Sequence, residues 1–190
     1  MKNYIAQITN YLASVKQMLD LIDPIALNTI MNVLEDARKH GRQIFIMGNG
    51  GSAATASHFV CDFNKGISEH LDKRYKFICL NDNVPIMMAY ANDYTYEDIF
   101  EGQLKNFLQI GDIVIALSGS GNSKNIVKAT SWAKSNGGVV ISFTGFDGGK
   151  LKQMADYAIH VPINDMQVTE DLHMILDHCM MKVLSTEICK

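Results

Sequence analysis

The sequence predicts an α/β fold, a doubly wound parallel sheet of five strands flanked by helices. Three observations predict it. Five short apolar runs recur along the chain, each nearly continuous, as expected for strands buried on both faces. They alternate with segments of helical periodicity, the pattern of βαβ units. No low-complexity tract or linker divides the 190 residues, of which 47% are hydrophobic, so one domain is expected over residues 1–190.

Residues 2–20 put Ile5, Ile8, Leu12, Val15, Met18 and Leu19 on one face of an amphipathic helix. The stretch "IDPIALNTIMNVLEDARKHG" predicts a second helix, with Asp23 as its cap, Pro24 in its first turn and Gly41 at its end. These helices form an N-terminal segment, residues 1–42, ahead of an α/β core over 43–190. The apolar face of one of them suits packing against another subunit. The predicted strands are "QIFIM" (43–47), "FICL" (77–80), "DIVIAL" (112–117), "VVISF" (139–143) and "YAIHV" (157–161). Helices are expected near 53–65, 84–91, 95–108, 124–136, 149–155 and 166–187.

Composition removes several classes of function. The net charge of -3 and the scattered Lys and Arg leave no basic field for nucleic acid. The N-terminus lacks the apolar block of a signal peptide, and no run reaches the roughly 20 apolar residues of a membrane helix. Cys61, Cys79, Cys179 and Cys189 show no CxxC spacing, so neither a zinc ribbon nor a disulfide framework is expected, and a cytoplasmic location fits.

Ligands of open parallel sheets bind beyond the carboxyl ends of the strands. Two such ends carry glycine–serine loops, "GNGGS" (48–52) and "SGSGNS" (118–123). Glycines let backbone approach a ligand, and N–H groups at a helix start attract an anion. Ser52, Ser118, Ser120 and Ser123 add uncharged donors. The GxxxxGK[ST] pattern is absent, and the first loop has neither the following GxxG nor the acidic residue of a dinucleotide site. A compact phosphate ester is the expected ligand.

Two histidine–carboxylate constellations accompany the loops. His58 and Asp62 are four residues apart and share a helix face. The stretch "TEDLHMILDHCMMKVL" carries Glu170, His173, Asp177 and His178, with Glu170 and His178 slightly over two turns apart. Two histidines and two carboxylates suit either a divalent metal such as zinc or a general acid and base. Spacing alone does not bring the two helices together.

The stretches "GNGGSAATASHF", "LNDNVPIMMAYAND", "GDIVIALSGSGNSKNIVKA", "ISFTGFDGGKLKQMADYAIHVP" and "EDLHMILDHCM" resemble the sugar isomerase (SIS) domain, more narrowly the phosphoheptose isomerases, over residues 2–187. The resemblance implies a flavodoxin-like sheet and a homotetramer with active sites at subunit interfaces, the N-terminal helices serving in oligomerisation. It implies interconversion of sedoheptulose 7-phosphate and D-glycero-D-manno-heptose 7-phosphate by enediol chemistry, supplying ADP- or GDP-heptose precursors. It assigns phosphate binding to Ser118, Ser120 and Ser123 and sugar contacts to Asn49, Gly50, Gly51 and Ser52. Asn92 and Asp93 match a further polar segment. His58, Asp62, Glu170 and His178 match the family's zinc ligands, one ion per subunit, with Asp62 or Glu170 as base and His178 as acid. Two positions depart from the pattern: Asp62 stands where the family has Glu, and Glu170 where it has Gln. Both remain oxygen ligands: the added charge at Glu170 should tighten a divalent metal, and the shorter Asp62 has less reach as a base. The family's arginine after its Glu has no evident match, Lys65 being the nearest cation. Alternatives in keeping with these departures are a non-catalytic phosphosugar-binding or adaptor module, or an isomerase of another ketose phosphate.

Overall fold

A computed structural model describes residues 2–188; Cys189 lies outside the described residues. The amphipathic N-terminal pattern forms α1 (Ile5–Leu19) and α2 (Pro24–Lys39). Asp23 Oδ1 accepts from Ile25 N at 2.8 Å and caps α2, and Gly41, at φ +70°, carries the chain out of it. The five apolar runs form β1 (Ile44–Met47), β2 (Phe77–Cys79), β3 (Ile113–Ser118), β4 (Val139–Thr144) and β5 (Tyr157–His160). All pair in parallel, in the order β2-β1-β3-β4-β5.

Between and after the strands run α3 (Gly51–Cys61), α4 (Val84–Asp93), α5 (Glu101–Phe107), α6 (Lys124–Ser135), α7 (Gly149–Met154) and α8 (Met166–Ile188). Two helices differ from expectation. The helix expected near 53–65 is α-helical only to Cys61 and continues as a π-helical turn over Asp62–Ile67. The one expected near 95–108 is split into a 3-10 turn at Tyr96–Asp98 and α5.

Both faces of the sheet are covered. On one, Ile44 and Ile46 pack with Leu34 of α2, Phe59 of α3, Phe63 of the π turn and Leu176 of α8. On the other, Phe45 and Met47 pack with Leu104 of α5 and Ile126 and Ala129 of α6. This alternation along β1 is the two-residue period of a strand. Residue α1 Met18 joins Val168 and Leu172 of α8, while Ile5, Ile8 and Leu12 remain 69%, 57% and 62% exposed.

The strand order fixes where ligands bind. The chain leaves β1 toward β2 and returns on β1's other side as β3, so α3 and α6 diverge to opposite faces. The crevice between the carboxyl ends of β1 and β3 is the topological switch point of this 2-1-3-4-5 order. Both glycine–serine loops open onto it.

Candidate active site

The first loop is held against β2. Gly48 N donates to Asn81 Oδ1 at 3.1 Å, and Asn81 Nδ2 donates to Gly48 O at 2.8 Å. A side chain at Gly48 would meet the Ser52 carbonyl at 2.5 Å, so the loop folds tightly onto the start of α3. Gly50 supplies the positive φ, +55°, that begins the helix. The second loop is anchored to its neighbours. Gly121, at φ +64°, donates its N–H to Ser118 O at 3.0 Å, and its own carbonyl accepts from Leu151 N at 3.0 Å. Ser118 Oγ donates to Ser123 Oγ at 3.2 Å, and Ser120 Oγ accepts from Asn122 N at 3.2 Å.

A reciprocal amide pair joins the loops. Asn49 and Asn125 each donate to the other's Oδ1 at 2.9 Å, and Tyr96 Oη donates to Asn49 Oδ1 at 2.9 Å. Between the loops lies a cavity of about 230 Å³. Its lining includes Gly51, Ser52, Ser118, Ser120, Ser123 and Glu170. The Glu170 carboxylate lies so close over Gly51 that a Cβ added there would sit 2.2 Å from Oε2. The only carboxylate of the lining therefore stands beside the polar, glycine-rich walls of the loops.

A second cluster forms where α3, the π turn and α8 meet. His58 Nε2 and His178 Nε2 are 2.9 Å apart, with the rings edge-on. Asp62 Oδ2 lies 3.7 Å from the first and 3.9 Å from the second. Asp177 completes the group, and one donor atom from each of the four lies within 4.8 Å of the others. Gly66 in the π turn leaves room for Met181 of α8, whose Cε would be 2.8 Å from a Cβ there, so the two elements pack closely. Asp177 is fully buried, and neither carboxylate oxygen has a hydrogen-bond partner among the described residues. Burial, with the negative Asp62 nearby, pushes its carboxyl up to about 8.

The expected site residues thus fall into three places. Asn49, Gly50, Gly51, Ser52, Ser118, Ser120, Ser123 and Glu170 line the cavity. His58, Asp62 and His178 meet in the second cluster, with Asp177 as the fourth member and Glu170 outside it. Eight residues of helix set the backbones of Glu170 and His178 about 12 Å apart along the axis, and Glu170 stands on the cavity side of the cluster. Asn92 and Asp93 are exposed at the end of α4, where Asn92 Nδ2 donates to Asp93 Oδ1 at 2.8 Å, and they are outside the cavity lining. His173 is a core residue: it is buried edge-on against Phe143 with its Nε2 3.4 Å from Thr144 O, and burial lowers its pKa to about 4. The sequence reading missed Asn125, Tyr96 and Asn81, which hold the loops in shape.

The geometry agrees with comparisons to known proteins. The model of the SIS domain matches residues 3–145. The phosphoheptose isomerase of Clostridium acetobutylicum is 34% identical over 193 residues, covering 99% of this chain and 96% of that one. The chain belongs to the SIS-domain family, among the phosphoheptose isomerases. The solved phosphoheptose isomerase GmhA of Neisseria gonorrhoeae superposes on this SIS domain with a TM-score of 0.86 at 26% identity, covering 96% of each chain. A phosphoheptose isomerase structure from Francisella tularensis, at 24% identity, shares the fold with a TM-score of 0.88 over 98% of this chain and 100% of that one.

The second cluster of this SIS domain fits a divalent ion. Tetrahedral zinc with Zn–N near 2.0–2.1 Å sets its donors about 3.3 Å apart. The separations of 2.9, 3.7 and 3.9 Å bracket that figure. Two facing imidazole nitrogens share at most one proton, and the unpartnered Asp177 oxygens offer a further donor to the cluster.

Proposed function

We propose that this chain interconverts sedoheptulose 7-phosphate and D-glycero-D-manno-heptose 7-phosphate, in the supply of ADP- or GDP-heptose precursors. One observation carries the reading: the Ser118–Ser123 loop and the Glu170 carboxylate share a single cavity at the switch point. An aldose–ketose isomerase needs this pairing, an anchor for phosphate and a base held at a fixed distance from it.

The phosphate accepts from Ser118, Ser120 and Ser123 and from the first-turn N–H groups of α6, the Ser118 hydroxyl giving up its bond to Ser123 Oγ while Ser120 Oγ goes on accepting from Asn122 N. Asn49, Gly50, Gly51 and Ser52 line the sugar. Glu170 takes the carbon-bound proton, giving an enediol, and returns it to the adjacent carbon. In the metal-free chain His178 handles the oxygen proton as the acid. A divalent ion such as zinc, if held by the His58, Asp62 and His178 cluster, would supply Lewis-acid polarisation of the substrate carbonyl. Asp62 then acts as a ligand rather than the base.

The assembly is proposed to be a homotetramer. The exposed Ile5, Ile8 and Leu12 on α1 support this, since such a stripe is costly in water and suits a partner subunit. No helix among the described residues is long and apolar enough to cross a membrane.

The test is isomerisation of sedoheptulose 7-phosphate with and without added zinc, in the parent chain and in Glu170→Gln and His178→Ala. The parent is expected to form the heptose 7-phosphate, Glu170→Gln to lose turnover by 10²-fold or more, and His178→Ala to lose its response to zinc. Absence of product from the parent, or full activity in Glu170→Gln, overturns the proposal. Turnover of a different ketose phosphate instead would move the substrate assignment.

A further inference from the structure

We propose that Met166, seated in the space that Gly119 leaves open, is a specificity-determining residue of the cavity and selects primary phosphate esters of a polyol chain by their length. The inference rests on the reading above that Ser118, Ser120 and Ser123 seat a phosphate, and deepens it by naming what the wall beside that seat admits.

Gly119 is the first support. It sits between two of the phosphate serines, and its φ is outside the left-handed region that Gly121 occupies at +64°. The turn therefore does not require glycine at 119. Space does. A Cβ built there would stand 2.4 Å from Met166 Sδ and 3.1 Å from its Cε. The thioether fills the volume that a side chain at 119 would take.

The footing of Met166 is the second. It opens α8, and the first turn of that helix is pressed onto the ends of β3 and β4. Thr169 Oγ1 would be 2.3 Å from a Cβ at Gly145, whose N–H donates to Gly119 O at 2.8 Å. Asp165 Oδ1 accepts from Val168 N at 3.1 Å, and Thr169 Oγ1 donates to Asp165 O at 2.8 Å. With the turn fixed by these contacts, the part of Met166 that can yield is its side chain.

The chemistry of the wall is the third. Met166 and Leu117 are the apolar side chains of the lining, and Leu117 has no exposed surface, so Met166 is the apolar surface a ligand meets. A thioether is at most a weak acceptor, so a hydroxyl held against it gives up water without full replacement. Carbon–hydrogen groups suit it. In a primary phosphate ester the carbon beside the ester oxygen carries hydrogens and no hydroxyl, and that carbon lies nearest a phosphate held by Ser118 and Ser120. Glu170 lines the same cavity one turn further along α8, about 6 Å of axis from Met166. The ligand chain is thus bounded by a bulky side chain at the phosphate end and by the base at the other. Its length decides whether both ends are reached.

The experiment measures Kd by titration calorimetry for alditol phosphates of five to eight carbons, each phosphorylated on a terminal carbon. These have no carbonyl, so turnover plays no part. The readout is the ratio of Kd between successive chain lengths within one variant, which cancels any change in the serine loop common to all of them. The parent is expected to weaken at least about tenfold on passing from its best length to the next longer one, the scale set by one extra carbon in a fitted pocket. Met166→Ala is expected to shrink that step to threefold or less, and Met166→Leu, alike in bulk, to keep it. Gly119→Ala forces Sδ to give way by about 1.0 Å to reach ordinary contact at 3.4 Å, and is expected to weaken the parent's best alditol at least about tenfold. In a Met166→Ala background the same change is expected to cost threefold or less, because the atoms in its way are gone. An unmoved step in Met166→Ala, or an equal cost of Gly119→Ala in both backgrounds, overturns this proposal alone. Binding of no alditol phosphate by the parent overturns the phosphate seating and this proposal with it, and alditol binding without turnover of sedoheptulose 7-phosphate overturns the isomerase reading while the Kd ratios still decide the role of Met166.

Discussion

Replacing Gly51 by alanine tests the placement of Glu170 without touching its chemistry. A Cβ at position 51 would stand 2.2 Å from Glu170 Oε2, 2.5 Å from Cδ and 2.6 Å from Oε1. Ordinary contact begins near 3.4 Å, so the carboxylate must retreat by about 1.2 Å, and misplacement on that scale costs roughly 10²-fold in rate. Stability behaves differently. The obstacle is the end of a flexible side chain, and alanine at the start of α3 recovers up to about 1 kcal/mol of backbone entropy that glycine forgoes. For a chain of this size, the melting temperature is expected to move by no more than about 4 °C. The assay is kcat/KM for sedoheptulose 7-phosphate beside a thermal melt. A double-mutant cycle sharpens it: in a Glu170→Gln background the Gly51→Ala change is expected to cost little more, because the group it displaces is already disabled. Activity within threefold of the parent in Gly51→Ala, at unchanged stability, would refute the view that Glu170 acts from its place over the first loop.

Three further outcomes follow from the same geometry. Gly121→Ala should damage both fold and phosphate binding, since its Cβ would meet the Gly148 carbonyl oxygen at 2.0 Å from a backbone at φ +64°; a loss of roughly 2–4 kcal/mol by urea unfolding, with a raised KM, is expected. His173 should make the fold acid-sensitive: its native pKa is lowered to about 4, so between there and about 6.5 the unfolded chain binds the proton and the native one does not, and stability falls as pH falls through that window. Relative to His173→Asn, the parent should lose about 2 kcal/mol between pH 7 and pH 5 in urea titrations, and equal losses would exclude this cause. Ile8→Glu combined with Leu12→Glu should reduce the assembly to smaller species by light scattering while leaving far-UV circular dichroism unchanged, because these side chains are 57% and 62% exposed in the single chain.

Much of the fold was legible because burial writes directly on composition. "QIFIM" and "DIVIAL" read as strands, and β1 and β3 have every residue buried. The edge strand β2 is shorter than its apolar run, and its Ile78 is 37% exposed. The two loops were legible because tight turns at strand ends demand glycine. The π turn after Cys61 was not, since a shift of backbone hydrogen-bond register changes no residue type; Gly66 alone hinted at a close neighbour. The break between Thr95 and Glu101 likewise lacks a proline or glycine to announce it. Asn49 was legible as a loop residue, but its amide pair with Asn125 spans 76 positions and no local pattern encodes it.

Asp177 shows where helical spacing misleads. Consecutive residues of an α-helix point about 100° apart, so an aspartate directly before His178 is read as belonging to another face, and Glu170 two turns earlier looks the better companion. That reasoning holds for a ligand approached from one side of a single helix. Here the cluster lies between two helices, with α3 and the π turn opposite α8. His178 enters it from the exposed flank and Asp177 from the core, so side chains about 100° apart on α8 still join one cluster whose donor atoms lie within 4.8 Å of one another. The eight residues from Glu170 to His178, about 12 Å of axis, place the first beside the serine loops and the second beside His58. The shorter side chain of Asp62 still reaches this cluster, its Oδ2 lying 3.7 and 3.9 Å from the two histidine nitrogens.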